Sequence, residues 1–191
     1  MPVSAPGVLP DVIADGLSVL FCGINPGLLS AATGHHFAGR GNRFWQVIHL
    51  ARFTPDCLSP EHDRLLLRHG CGLTTVVARA SARADQVALA EFHAASRDLE
   101  RKIADHAPRT VAFLGKGAWS ALSGLRNPQW GPQSARLAGA AVWLLPNPSG
   151  RNRAFTLDRL VETYHALRKS DTWEKTIGPR RQPPIHAWSA G

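Results

Sequence analysis

Four short apolar runs punctuate the chain, and the stretches between them place apolar residues at helical spacing. Residues 17–22 (Leu17-Ser18-Val19-Leu20-Phe21-Cys22) are apolar at nearly every position and stop at Gly23. A run without alternation suits a strand covered on both faces, as in a parallel sheet flanked by helices. Residues 73–77, 110–114 and 140–145 read the same way. Between them, residues 42–52 carry Phe44, Val47, Ile48 and Ala51 on one stripe. Residues 88–106 carry Phe92, Leu99 and Ile103 inward with alternating charges outward, and Pro108 stops them. Residues 156–169 align Leu157, Leu160, Val161, Tyr164 and Leu167. Pro60, with Ser59 as a cap, predicts a helix over 61–69, and another follows the Gly115-Lys116-Gly117 turn to about residue 122.

Alternating strands and helices imply right-handed crossovers. The expected fold class is therefore α/β, a three-layer α/β/α sandwich around a mainly parallel, about four-stranded sheet. Residues 1–15, with Pro2, Pro6 and Pro10, read as an extended lead-in, and 16–169 as one domain. Residues 170–191 contain Arg180-Arg181 and three prolines and lack apolar periodicity, so they are expected to be a disordered basic tail. A chain of 191 residues buries one sizeable core rather than two.

Charge narrows the partner. The formal net charge is +8, which favours a polyanion, and nucleic acid before a membrane, because no basic helix carries a broad apolar face. With no run of 18 apolar residues and no signal-peptide pattern over residues 1–10, the expected location is cytoplasmic. Cys22, Cys57 and Cys71 are odd in number and far apart, which fits neither a disulfide framework nor a zinc site. They are expected to be small buried side chains. Three cysteines also fall short of a four-cysteine iron–sulfur cluster, and no metal or other cofactor is expected.

In open parallel sheets the ligand crevice lies beyond the carboxyl ends of the strands. Two loops at such ends are alike: Gly23-Ile24-Asn25-Pro26-Gly27 and Pro146-Asn147-Pro148-Ser149-Gly150. One Asn-Pro-Gly loop alone is ordinary turn chemistry. Two at equivalent strand ends suggest two walls of one cleft.

The blocks Gly23-Ile24-Asn25-Pro26-Gly27, Asn42-Arg43-Phe44-Trp45 and Asn147-Pro148-Ser149-Gly150 resemble those of the mismatch-specific uracil/thymine-DNA glycosylases, from about residue 8 to 169. The resemblance implies the same three-layer sandwich and a monofunctional enzyme that excises uracil from G·U mispairs in double-stranded DNA, acting as a monomer on a flipped-out nucleotide. It implies that Asn25 positions the attacking water, that the flipped base stacks on Phe37, and that backbone amides near Ile24 and Phe37 bind the base. Pro26, Gly27 and Ser30 belong to the same pocket-forming loop. Departure of uracil leaves an oxocarbenium-like sugar and an anionic base, which preorganised donors in a dry pocket stabilise. An asparagine amide orients water but is a very poor base, so the reaction should be dissociative and slow.

The second loop would press on the DNA, with Asn147, Ser149, Gly150, Arg151 and Arg153 as contacts. The family often has an apolar wedge after this motif, where this chain has Arg151. A guanidinium can stack on bases, but an arginine in a loop is more often a phosphate contact. Asp85, in the polar stretch Arg83-Ala84-Asp85-Gln86, has two readings: activation of the water, or the N-cap of the following helix. Lys116 has no phosphate-loop context, and adjacent His35 and His36 are poorly spaced for one metal. Two rival functions use the same features in part. A nucleoside hydrolase leaves the net charge unexplained, and a non-catalytic mismatch-binding protein has no use for a water-holding Asn25.

Overall fold

A computed structural model describes residues 9–170. Its sheet has five strands in the order β2-β1-β3-β5-β4: β1 (Val19–Gly23), β2 (Cys71–Thr75), β3 (Thr110–Leu114), β4 (Gly131–Leu137) and β5 (Ala140–Leu145). The first, second, third and fifth are parallel. The helices are α1 (Leu28–Thr33), α2 (Phe44–Leu50), α3 (Leu89–His106), α4 (Lys116–Ser123) and α5 (Leu157–Arg168).

Side chains of successive strand residues point to opposite faces, so each central strand feeds two cores. Val19 and Phe21 of β1 join α2 and α5 through Phe44, Ile48, Leu160 and Tyr164. Leu20 and Cys22 join α3 and α4 through Leu99, Ile103, Ala118 and Trp119. Phe21 anchors the first core, edge-on to Phe44 and Phe53 with centroids 5.5 and 5.2 Å away. Such pairs add about 0.5–1.5 kcal/mol beyond burial. The fifth strand corrects the expected count of about four. β4 pairs antiparallel with β5 across a register shift and forms the sheet edge, where Pro132 is tolerated.

Three further local expectations are corrected. The pocket-forming loop that holds Pro26, Gly27 and Ser30 contains α1, whose Leu28 and Leu29 are exposed. Pro60–His69 is 3-10 rather than α-helical, with a kink at His62, and the Ser59 hydroxyl lies 3.0 Å from His62 Nδ1 instead of capping backbone. Cys22 and Cys71 are buried, but Cys57 is exposed.

Residues 9–15 are held to the domain. Val12 exchanges two backbone hydrogen bonds with Leu73, and the Asp11 carboxylate accepts from the Thr74 hydroxyl and pairs with Lys102. Residues 1–8 and 171–191, the latter covering nearly all of the expected basic tail, lie outside the described residues. No helix among the described residues is long and apolar enough to cross a membrane.

Candidate active site

A cleft of about 900 Å3 opens at the carboxyl ends of β1, β2 and β3. Its walls are the two loops singled out from the sequence, joined by α1, the segment around Phe37 and residues 81–85. The loop after β2 is zipped onto the loop after β1: Val76, Val77 and Ser81 donate their amides to the carbonyls of Gly23, Ile24 and Pro26.

That zipper orients Asn25. Its Nδ2 donates to the Arg79 carbonyl and to Ser81 Oγ, both at 2.8 Å. A backbone carbonyl can only accept, so the amide cannot be turned end for end. The Ser81 hydroxyl donates its own hydrogen bond to the Arg83 carbonyl at 2.7 Å. Both amide protons are thereby committed, and Oδ1 is the atom left to accept from a water in the cleft.

Phe37 is half-buried on the cleft wall with φ +55°, a rare region for a bulky residue and one that strained functional positions often occupy. Phe44 lies behind its ring, stacked at 4.0 Å between centroids and 23° between planes. Ser30, the buried residue of α1, accepts from the Ala38 amide at 3.1 Å and so fixes the backbone just after Phe37. His36 is buried, its Nε2 donating to the Pro10 carbonyl at 3.0 Å, and burial lowers its pKa from 6.5. Asp63 accepts from the His36 amide and lies 3.5 Å from His35 Nδ1. The histidines therefore brace the Phe37 segment. Among the described residues no group of three or more His, Cys, Asp or Glu side chains is placed to hold a metal ion.

Asp85 lines the cleft mouth from a 3-10 turn, Ala84–Gln86. The cap reading is overturned, since α3 begins after Ala88 and Asp85 makes a two-pronged ion pair with Arg83. That guanidinium holds the carboxyl below the ordinary 3.8, with a smaller contribution from Arg151. Asp85 is therefore ionised at neutral pH and exposed.

The second loop is held from beneath. Asn147 Oδ1 accepts from the Ser149 amide, which closes a tight turn, and Tyr164 of α5 donates to the Pro146 carbonyl at 3.0 Å. Ser149 Oγ accepts from the Arg151 amide. The Arg151 side chain is exposed on the cleft rim, whereas Arg153 is exposed outside the cleft lining. Gly115, between β3 and α4, lies beside both loops: a Cβ there would stand 3.7 Å from Ile24 Cδ1 and 3.8 Å from Asn147 Cβ. Lys116 is the first residue of α4: its Nζ donates to Asn127 Oδ1 and sits 4.9 Å from the centre of the Trp130 ring.

The cleft thus gathers Ile24, Asn25, Pro26, Gly27, Ser30, Phe37, Asp85, Asn147, Ser149, Gly150 and Arg151. Two residues that shape it were missed: Ser81, which lines it, and Arg43, which holds the second loop without lining the cleft. Ser81 carried no signal, lying just before the polar stretch 83–86. Arg43 lay inside a quoted block, but its partners are more than a hundred residues away in sequence.

A solution NMR structure of a candidate uracil DNA glycosylase from Methanosarcina acetivorans is similar, with a TM-score of 0.59 and 21% identity, covering 85% of this chain and 98% of that one. Residues 10–168 match the family model of the uracil DNA glycosylase superfamily. The chain belongs to that superfamily, whose members act on DNA as glycosylases that hydrolyse the bond between base and sugar.

Proposed function

We propose that this glycosylase is monofunctional and removes uracil from G·U mispairs in double-stranded DNA, working as a cytoplasmic monomer on a nucleotide flipped into the cleft and leaving an abasic site. The observation that carries the reading is the double anchoring of the Asn25 amide, which leaves Oδ1 to hold a water. In this reading the base stacks on the free face of Phe37, whose other face is backed by Phe44. Ile24, Pro26, Gly27 and Ser30 shape the rest of the base site, and Asp85, ionised at the cleft mouth, draws a proton from the water as the sugar becomes cationic. Asn147, Ser149, Gly150, Arg151 and Arg153 contact the DNA around the gap left by the nucleotide.

The test is single-turnover cleavage of a duplex with one uracil opposite guanine, followed by alkali, for wild type, Asn25→Ala and Asp85→Ala. Alkali-dependent cleavage by the wild type that falls by roughly 100-fold or more in Asn25→Ala supports the reading. Equal rates on uracil opposite adenine would remove the mispair specificity. An unchanged Asp85→Ala would end its catalytic role, and no product with intact binding would point to a mismatch-binding protein.

A further inference from the structure

We propose that Arg43 is a positioning residue that locks the 147–155 loop to the back of the base platform, so that filling the pocket and pressing the loop onto DNA are one coupled event. The inference rests on the glycosylase reading above and adds a residue that the reading does not use. Residues 41–44 touch both halves of the cleft. On one side Phe44 backs the Phe37 ring. On the other, the Arg43 amide donates to the Pro148 carbonyl at 3.0 Å. The Arg43 guanidinium then reaches four carbonyls of the same loop: Phe155 at 2.8 Å, Ser149 and Asn152 at 3.0 Å each, and Pro148 at 3.4 Å. Two residues earlier, the Gly41 carbonyl lies so near Gly150 that a Cβ there would stand 2.5 Å from its oxygen.

This geometry requires arginine. Its planar fork carries five N–H donors spread over several ångströms, whereas a lysine ammonium offers three donors at a single point and cannot span Pro148 to Phe155. Among the described residues no carboxylate pairs with Arg43, so its charge is retained beneath the loop. The inward-turned carbonyls are satisfied by that charge. An approaching phosphate meets a cationic loop instead of a cluster of carbonyl oxygens. Any displacement of Phe37 by an entering base is passed through Phe44 to the segment that carries Arg43, and from there to the loop.

The experiment compares full-length wild type, Arg43→Lys and Arg43→Gln. Amide hydrogen exchange is followed across 147–155 and across β3, and affinity is measured for a non-cleavable 2′-fluoro-deoxyuridine opposite guanine in a duplex and in the matching single strand. Both variants are expected to speed exchange in the loop by about tenfold or more while β3 keeps its protection. Both should weaken duplex binding by about tenfold or more and single-strand binding by less than about threefold. Full recovery by Arg43→Lys would show that charge alone suffices and would overturn the proposal, as would equal losses on both DNA forms or an unchanged loop exchange. If the wild type fails to prefer the G·U duplex over a G·C duplex, the uracil reading fails, and loop exchange still decides the role of Arg43.

Discussion

The Asn25 amide donates to the Ser81 hydroxyl, and Ser81 donates onward to the Arg83 carbonyl, so a three-group relay decides which way the asparagine faces. Ser81→Ala removes the acceptor for one amide proton and leaves the Asn25 side chain held by the Arg79 carbonyl alone. The single-turnover excision rate is expected to fall by about tenfold, near 1.4 kcal/mol of barrier, with little change in DNA affinity. Ser81→Thr keeps the hydroxyl and should retain most of the rate. A change in affinity alone would contradict the relay.

Phe37 is the next residue to probe, because its ring is backed on one face and turned to the cleft on the other. Phe37→Ala should cost about 1–3 kcal/mol of affinity for a uracil-containing strand, the range for losing one base–aromatic stack. Phe37→Gly also relieves the positive φ. If the two variants bind equally, the ring and not the backbone strain sets the affinity. Titration of the non-cleavable duplex measures both.

How far the sequence reveals this molecule depends on which contacts are local. The runs 110–114 and 140–145 match β3 and β5 because continuous apolar stretches have few alternatives in an α/β chain. β2 begins two residues before the expected 73–77, since Val76 and Val77 remain hydrogen-bonded to the loop after β1 and look like strand without being in the ladder. β4 was invisible: Gly131-Pro132-Gln133-Ser134-Ala135-Arg136-Leu137 is an edge with one face in solvent and no apolar alternation. In the site, Asn25 and Phe37 stood in or near quoted blocks, whereas Ser81 is defined by a pairing 56 residues away. Such partnerships are tertiary facts that no local window contains.

Gly72 offers a stability prediction. A Cβ there would lie 2.5 Å from Leu17 Cδ1 and 2.7 Å from the Val12 carbonyl, which is already hydrogen-bonded to Leu73. The leucine can turn, but the backbone oxygen cannot move without breaking the bridge. Gly72→Ala should therefore destabilise by about 1–3 kcal/mol and lower Tm by several degrees. Gly117→Ala, with open space around it in α4, is the control and should be neutral or slightly stabilising. Thermal unfolding followed by circular dichroism distinguishes them.

His36 couples the pocket to pH. Burial lowers its pKa from 6.5, opposed by the Pro10 carbonyl and by Asp63 and Asp11, while Lys102 adds to the lowering. The folded protein keeps the imidazole neutral, so as pH drops below 6.5 the unfolded chain takes up a proton that the folded one refuses. Stability present above pH 6.5 is then lost toward acid, at no more than about 1.4 kcal/mol per pH unit for this one group. Tm measured from pH 7.5 to 5 should decline, and the decline should be shallower in His36→Gln. Parallel profiles for the two proteins would remove His36 as the cause.

The unequal placement of the three cysteines has a practical consequence. Burial pushes the Cys22 thiol up to about 12 and Cys71 higher still, so neither forms an accessible thiolate at ordinary pH. Cys57 stands exposed and outside the cleft lining. A maleimide dye should therefore attach at one place on the folded wild-type protein, without engineered residues. That gives a ready-made fluorescent label for following the protein's arrival on DNA.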